Sequence, residues 1–311
     1  MKVVQSLGQA KKILDGSVVT MGNFDGVHLG HIELLQKLVE KARLQNLQAV
    51  VLTFDPHPMQ ILHPDREFQR LFSIEDQIEQ MKKIGVDVFI THPFTHEFAK
   101  LSPEDFLENW LFLSLNPREM VVGYDFAFGA DRKGTLHKLK EICMKNKIQL
   151  EIISPFEKNN MIVSSSKIRE FIRRGEMIQA YEFLGRPYYL NGTVTRGDQR
   201  GRTLGFPTAN LDVPWKLKPR VGVYATRAFV EGKEYLSMTN VGWNPTVSNN
   251  KKNVKIETHL FDFNKEIYGE EIKLMFYKFL REECKFNSLE ELKSQLAIDK
   301  KNSQEFFSEK N

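Results

Sequence analysis

Only two cysteines occur in 311 residues, Cys143 and Cys284, and neither lies in a C-x-x-C pair or beside a histidine cluster with metal-ligand spacing. That supplies no disulfide framework and no thiolate metal site, and it points to a reducing compartment. Long apolar runs are missing too: the richest, Trp110 to Leu115, is far too short to span a bilayer. The opening stretch MKVVQSLGQAKKILDG breaks its apolar runs with charges and holds no signal-peptide core, so a cytoplasmic protein is expected. Excess charge of one sign is small: the formal net charge is +4, and the basic residues are scattered, which leaves no footprint for nucleic acid. Neither an internal repeat nor a low-complexity linker occurs. What is present is an ordinary globular composition, 41% hydrophobic and 27% charged, in a chain long enough for two cores.

The first half alternates two periods. Strand-length apolar runs at Ser17 to Met21, Gln48 to Phe54, Val86 to Thr91, Glu119 to Val122 and Gln149 to Ile153 are separated by helical patterns. Those helices are expected at Ile32 to Gln45, Ile74 to Ile84, Ser102 to Leu113 and Thr135 to Asn146, the third with an N-cap Ser102 and a first-turn Pro103. Such alternation implies a parallel sheet covered on both faces, which takes ligands beyond the carboxyl ends of its strands. Two more helical segments, Lys167 to Arg174 and Met177 to Phe183, close this half. The pattern then changes at Gly185 to Pro187, and the expected domains are 1–185 and 186–311. Strands dominate thereafter, at Tyr188 to Thr195, Val221 to Val230, Glu234 to Val241, Val254 to Phe261 and Glu271 to Phe279, which implies an antiparallel barrel. Ser288 and Glu291 form a capping box for a last helix on which Leu289, Leu292 and Leu296 share a face.

Between the first strand and its helix the chain reads GNFDGVHLGH, Gly22 to His31. A glycine-rich turn from strand to helix gathers backbone N–H groups where the helix dipole also favours an anion. His28 and His31, three residues apart, can face one phosphate and donate hydrogen bonds to charge that grows during reaction. The same H-x-x-H spacing also suits a metal ion. The order of strand, Gly22, Gly26, Gly30, both histidines and helix favours phosphate.

A second candidate runs from Gly192 to Leu211, GTVTRGDQRGRTLGFPTANL, where four glycines and three arginines form a loop able to approach phosphates closely. In an extended chain Thr208 and Asn210 share one face, suited as oxygen ligands of Mg²⁺. Glu257, in VKIETHLFDF, lies on a strand.

GNFDGVHLGH, followed by TFDPHP (Thr53 to Pro58), VGYDFAFG (Val122 to Gly129) and SSSKIR (Ser164 to Arg169), resembles the adenylyltransferase module of bacterial bifunctional riboflavin kinase/FAD synthetases. The resemblance implies a nucleotidyltransferase Rossmann-like sheet on which FMN attacks the α-phosphate of ATP, giving FAD and pyrophosphate. It assigns His28 and His31 to catalysis, and Gly22, Asn23, Phe24, Ser164, Ser165, Lys167 and Arg169 to ATP. Phe54, Pro58, Asp125 and Phe128 fall to the flavin, Asp125 also being a candidate Mg²⁺ ligand. Lys167 stands where the family usually has Arg, and Ser166 where it usually has Thr. Lysine cannot make arginine's planar two-pronged contact, so a weaker or rearranged ATP contact is expected.

From about Gly185 to the closing helix, the chain is similar to the riboflavin kinase module. That similarity implies a β-barrel holding Mg·ATP through Thr208 and Asn210, with Gly201 and Arg202 in the loop, and Glu257 as general base. FLREE, Phe279 to Glu283, resembles a segment near the flavin and makes Arg281 a candidate contact. NVGWNPTV, Asn240 to Val247, resembles a family turn but has Asn244 and Val247 where the family usually has Arg and an aromatic. The expected fold is therefore α/β plus β, with riboflavin, FMN and ATP as partners, Mg²⁺ as cofactor, and neither nucleic acid nor membrane.

Overall fold

Central strands of a parallel sheet are covered on both faces, and Ser17–Met21 (β2) is buried at every position. In the computed structural model, which describes all residues except 12–13, 198–200, 202–203, 214–215, 244–253 and 310–311, the chain divides into two units, Met1–Ser164 and Ser165–Asn311.

In the first unit β1 (Lys2–Val4), β2, β3 (Gln48–Phe54), β4 (Val88–His92), β5 (Pro117–Gly123) and β6 (Gln149–Ile153) form a six-stranded sheet of order β1-β4-β3-β2-β5-β6. Every pairing in it is parallel. Alternate side chains fill two cores: Val19, Met21, Leu52, Ile90 and Val122 on one face, Val18, Val51, Phe89 and Val121 on the other. Leu34, Leu35 and Leu38 of α1 (Leu29–Leu44) join the second core. From β2 the chain builds outward through β3 and β4, then returns to lay β5 on the other side of β2. The strand order reverses there, and such a reversal opens the crevice beyond the strand ends where α/β sheets take ligands. The GNFDGVHLGH turn leaves the end of β2 at that point. The helix expected from Ser102 begins so, its hydroxyl accepting the Asp105 N–H at 3.0 Å, but it winds as a π-helix over Asp105–Phe112. A hairpin of β7 (Glu157–Lys158) and β8 (Met161–Ile162) ends the unit.

The second unit opens with α2 (Ser165–Arg174) and α3 (Met177–Leu184). The end of α2 touches later parts of the same unit: the Arg220 N–H donates to the Ile172 carbonyl at 3.2 Å, and a Cβ on Gly175 would lie 3.2 Å from the Phe279 ring. The boundary set by packing therefore lies ahead of the change of pattern at Gly185. Six antiparallel strands then close into a barrel of order β10-β13-β12-β11-β14-β9. They are β9 (Tyr188–Thr195), β10 (Ala209–Asp212), β11 (Gly222–Val230), β12 (Lys233–Trp243), β13 (Val254–Leu260) and β14 (Glu271–Arg281). Closure leaves no sheet edge exposed.

The last helix, α4 (Leu289–Ser308), departs from its expected apolar stripe. Leu289 is 65% exposed, and the packed residues are Asp299, Ser303, Phe306 and Phe307, the two aromatics lying against Ala225, Leu236 and Tyr277. Ser288 caps the helix as expected by accepting the Glu291 N–H at 3.1 Å, but the Glu291 carboxylate reaches Asn287 N–H instead of completing the box. Asp299 is buried and accepts from Arg281 Nε and Nη2 at 2.9 and 2.6 Å. Replacing Arg281 with methionine takes the cation from that carboxylate, which keeps the Gln295 amide donating to Oδ1 at 2.9 Å. The expected loss is about 3 kcal/mol, the low end for breaking a buried pair, because the Arg281 side chain keeps 22% exposure. Urea unfolding followed by barrel fluorescence measures it.

Candidate active sites

The turn after β2 is shaped by backbone rather than by side-chain chemistry alone. Phe24, Gly26 and Val27 have φ of 46°, 92° and 38°. Left-handed backbone is free for glycine but costs about 1–3 kcal/mol at each of the other two, so the surroundings must hold the turn. Asp25 does so: its carboxylate is buried and accepts the Leu71 N–H at 3.0 Å and the Phe72 N–H at 3.4 Å. Phe24 is buried as well, with its ring edge-on to His31 at 5.2 Å. The Gly22 N–H donates to the Leu52 carbonyl at 3.0 Å and so continues the sheet rather than pointing at a ligand. The Asn23 carbonyl accepts from the Thr53 hydroxyl at 3.4 Å, and its side chain is exposed.

His28 is the N-cap of α1, its Nδ1 accepting the His31 N–H at 3.3 Å. A nitrogen that accepts carries no proton, so the neutral ring keeps its hydrogen on Nε2 as a donor. The two imidazoles stack at 3.6 Å with an 18° tilt. A Cβ on Gly30 would make ordinary contact with the His28 ring at 3.5 Å and a tight one with Phe156 Cβ at 3.3 Å. The expected pair is thus brought together, at the helix start and beyond the end of β2.

The flanking loops converge at the carboxyl ends of the neighbouring strands. Phe54 ends β3, half-buried, with its ring 5.4 Å from Phe94 and 5.6 Å from Phe98. Phe98 also meets His92, the last residue of β4, at 4.8 Å. Pro58 is the first residue of a short helix, Pro58–Leu62, capped by the buried His57. Asp55 binds the buried Arg70 at 2.7 Å. Asp125 is exposed beyond β5, while Phe128 is 7% exposed and packs in the core with its ring against Phe126.

Ser164 closes the first unit, and Ser165, Lys167 and Arg169 lie on the first turns of α2. Lys167 pairs with Glu170 at 3.0 Å and lies over the Phe171 ring at 5.3 Å. Lys167 and Arg174 together hold the Glu170 carboxyl below the usual carboxylate range. An incoming anion has to displace Glu170 from Lys167.

On the barrel, Asn210 of β10 stands opposite Glu257 of β13, which stands opposite Asn240 of β12. These three share one face, and their neighbours Leu211, Ile256 and Val241 are buried on the other. Asn210 is 7% exposed, and its Oδ1 is buried with no hydrogen-bond partner among the described residues. An unmet buried acceptor costs about 1–3 kcal/mol, and a hard cation would relieve it. Thr208 adds a hydroxyl two residues away, so these residues fit a Mg²⁺ that keeps waters and phosphate oxygens as its other ligands. No cluster of three or more acidic, histidine or cysteine ligands occurs among the described residues.

The glycines of the loop fit it to this face. A Cβ on Gly197 would overlap the Asn210 amide, and one on Gly201 would overlap the Phe206 carbonyl. Gly197→Ala is therefore expected to displace the Asn210 amide. Glu257 pairs with Lys255 at 2.8 Å and keeps 29% side-chain exposure, within reach of solvent-borne substrate. Arg281 is engaged by Asp299, so it braces α4 against β14, and its guanidinium is already occupied. Arg202, Asn244 and Val247 lie outside the described residues.

Two residues within these motifs carry roles that their local sequence does not signal. One is Asp25, which braces the turn after β2. The other is His259, whose Nδ1 lies 2.8 Å from the Pro207 carbonyl oxygen. Burial, with a smaller push from Lys300, holds its imidazole below the usual pKa despite that bond.

A parallel sheet with a glycine–histidine turn at its reversal point, followed by a closed barrel with a loop-fitted Asn–Glu face, is the layout of a two-domain nucleotide-dependent transferase. The FAD synthetase family matches residues 10–167 and the Riboflavin kinase family residues 184–307. Bifunctional riboflavin kinase/FMN adenylyltransferases of Listeria monocytogenes, Bacillus subtilis and Escherichia coli K12 are 39%, 38% and 35% identical to the chain. The alignments cover 93%, 94% and 98% of this chain and 92%, 93% and 96% of those proteins. A solved Streptococcus pneumoniae structure, described as a macrolide-efflux protein, matches with a TM-score of 0.89 at 30% identity, over 98% of this chain and 99% of that one. Among the described residues no helix is long and apolar enough to cross a membrane. The chain belongs to the bifunctional riboflavin kinase/FMN adenylyltransferase family.

Proposed function

We propose that this protein makes both flavin cofactors in sequence: the barrel phosphorylates riboflavin to FMN, and the parallel-sheet unit adenylylates FMN to FAD. At the barrel, Glu257 takes the proton of riboflavin's primary hydroxyl as that oxygen bonds to the γ-phosphorus of ATP and ADP leaves. Thr208 and Asn210 would hold Mg²⁺, with Gly201 in the loop beside them. When bound, the ion neutralises phosphate charge and orients the transferring group.

At the sheet, a phosphate oxygen of FMN bonds to the α-phosphorus of ATP, the bond to the bridging oxygen breaks, and pyrophosphate leaves. His28 and His31 donate to the charge that grows on the α-phosphate oxygens. The Phe24 amide and Asn23 border the phosphate chain, Gly22 admits it by lacking a side chain, and Ser164 serves the leaving pyrophosphate. Phe54, Pro58, Asp125 and Phe128 border the flavin, for which the half-buried aromatic cluster at the ends of β3 and β4 offers stacking surface. The soluble substrates and the lack of paired cysteines support a cytoplasmic setting.

The observation that carries this reading is the orphaned Asn210 oxygen directly across from Glu257: a ligand position and a base on one face. Chromatography of the products from purified protein, riboflavin, ATP and Mg²⁺ tests it. FMN is expected first and FAD after it, both suppressed by EDTA, and failure to form either flavin rejects the proposal.

A further inference from the structure

His259 lies two residues beyond Glu257 on β13 and so shares its face. One register step past the Ala209–Thr258 pair, it meets the chain just where the chain enters β10. Its Nδ1 is 2.8 Å from the Pro207 carbonyl oxygen, and because a carbonyl only accepts, the ring nitrogen is the donor. The ring is 6% exposed, edge-on to Phe206 at 5.4 Å and tilted against Phe261 at 5.6 Å, so packing fixes its direction. The Pro207 carbonyl belongs to the same rigid peptide plane as the Thr208 nitrogen. Whatever holds that oxygen orients the plane that carries the Thr208 nitrogen and Cα, from which its side chain departs.

We propose that His259 is a positioning residue of the kinase site, which holds the 207–208 peptide plane so that Thr208 and Asn210 aim together at Mg·ATP. This rests on the kinase reading of the barrel. A purely structural staple would affect melting and every function of the barrel alike. A positioning bond acts selectively on nucleotide and metal.

The test uses full-length His259→Phe, which keeps a ring between Phe206 and Phe261 but cannot donate, and His259→Asn, which returns an N–H close to the Nδ1 position. The Phe variant is expected to raise the KM for ATP in FMN formation, and to weaken the Mg²⁺-dependent part of ADP binding by calorimetry, each roughly 10-fold or more. Its kcat, its melting temperature and its FAD formation from FMN stay near wild type, and the Asn variant recovers most of the affinity. Wild-type ADP affinity in the Phe variant, or equal losses in Phe and Asn, overturns the proposal. Should the Phe variant melt early, His259→Gln provides the same contrast, because its amide reaches the Nε2 position and not Nδ1: loss with Gln but not with Asn supports the role, and equal behaviour removes it. Asn210→Ala in the same assay separates the two readings. If it leaves FMN formation intact the kinase site itself is misplaced; if it abolishes FMN formation while His259→Phe is unaffected, only the positioning role falls.

Discussion

Alanine at His31 is expected to lower FAD formation from FMN and ATP by roughly 10²- to 10³-fold, the usual consequence of deleting one donor to transition-state charge, while FMN formation from riboflavin should continue at the wild-type rate. His31 is the cleaner of the two histidines to remove. His28 is also the N-cap of α1, and losing a cap costs about 0.5–2 kcal/mol, so His28→Ala mixes stability with chemistry. His31 Nδ1 and Nε2 belong to a ring that stacks on His28 and meets the edge of Phe24. His31→Phe therefore preserves packing and removes the donors. If its FAD rate matches that of His31→Ala, chemistry rather than packing accounts for the loss. Rates read by chromatography with FMN supplied directly keep the barrel out of the measurement.

Glutamine at Glu257 does the reverse. The amide keeps the shape of the side chain on β13 but cannot take a proton, and general-base removal typically costs about 10²- to 10⁴-fold. FMN formation falls by that factor, and FAD formation from supplied FMN is unchanged. Lys255 loses its ionic partner in this variant, and an ion pair this exposed contributes only about 0–1 kcal/mol. The melting temperature should hardly move, so a lost rate cannot be attributed to unfolding. A Glu257→Gln protein that still makes FMN at the wild-type rate would remove Glu257 from the chemistry.

Much of this layout was legible in the chain. The alternation of apolar runs with 3.6-residue patterns placed five of the six parallel strands, and turn-bounded runs placed five of the six barrel strands. Missed were β1 and β10, three and four residues long, because so few positions carry no measurable period. The two histidines, Thr208 and Asn210 stand out because their residue types and spacings carry chemistry locally, whereas Glu257 is picked out only by the family resemblance. Asp25 and His259 do not stand out, since what each does depends on groups far away in sequence, Leu71 and Pro207, and only folding brings them together. Arg281 reads as a ligand cation near the flavin-associated motif, and its carboxylate partner, Asp299, goes unseen because the closing helix supplies it. On that helix periodicity shows which residues share a face, not which turns pack deepest: Leu292 and Leu296 are half-buried, and the fully buried residues come in the later turns.

Mixing the two crippled proteins tests most directly that the chain holds two self-sufficient sites. His31→Ala and Glu257→Gln, each alone with riboflavin, ATP and Mg²⁺, are expected to yield FMN without FAD and almost no flavin nucleotide, respectively. Combined in one tube, they should make FAD, as FMN released by the first protein is adenylylated by the second. Absence of FAD from the mixture, with FMN accumulating and each protein folded, would contradict the account.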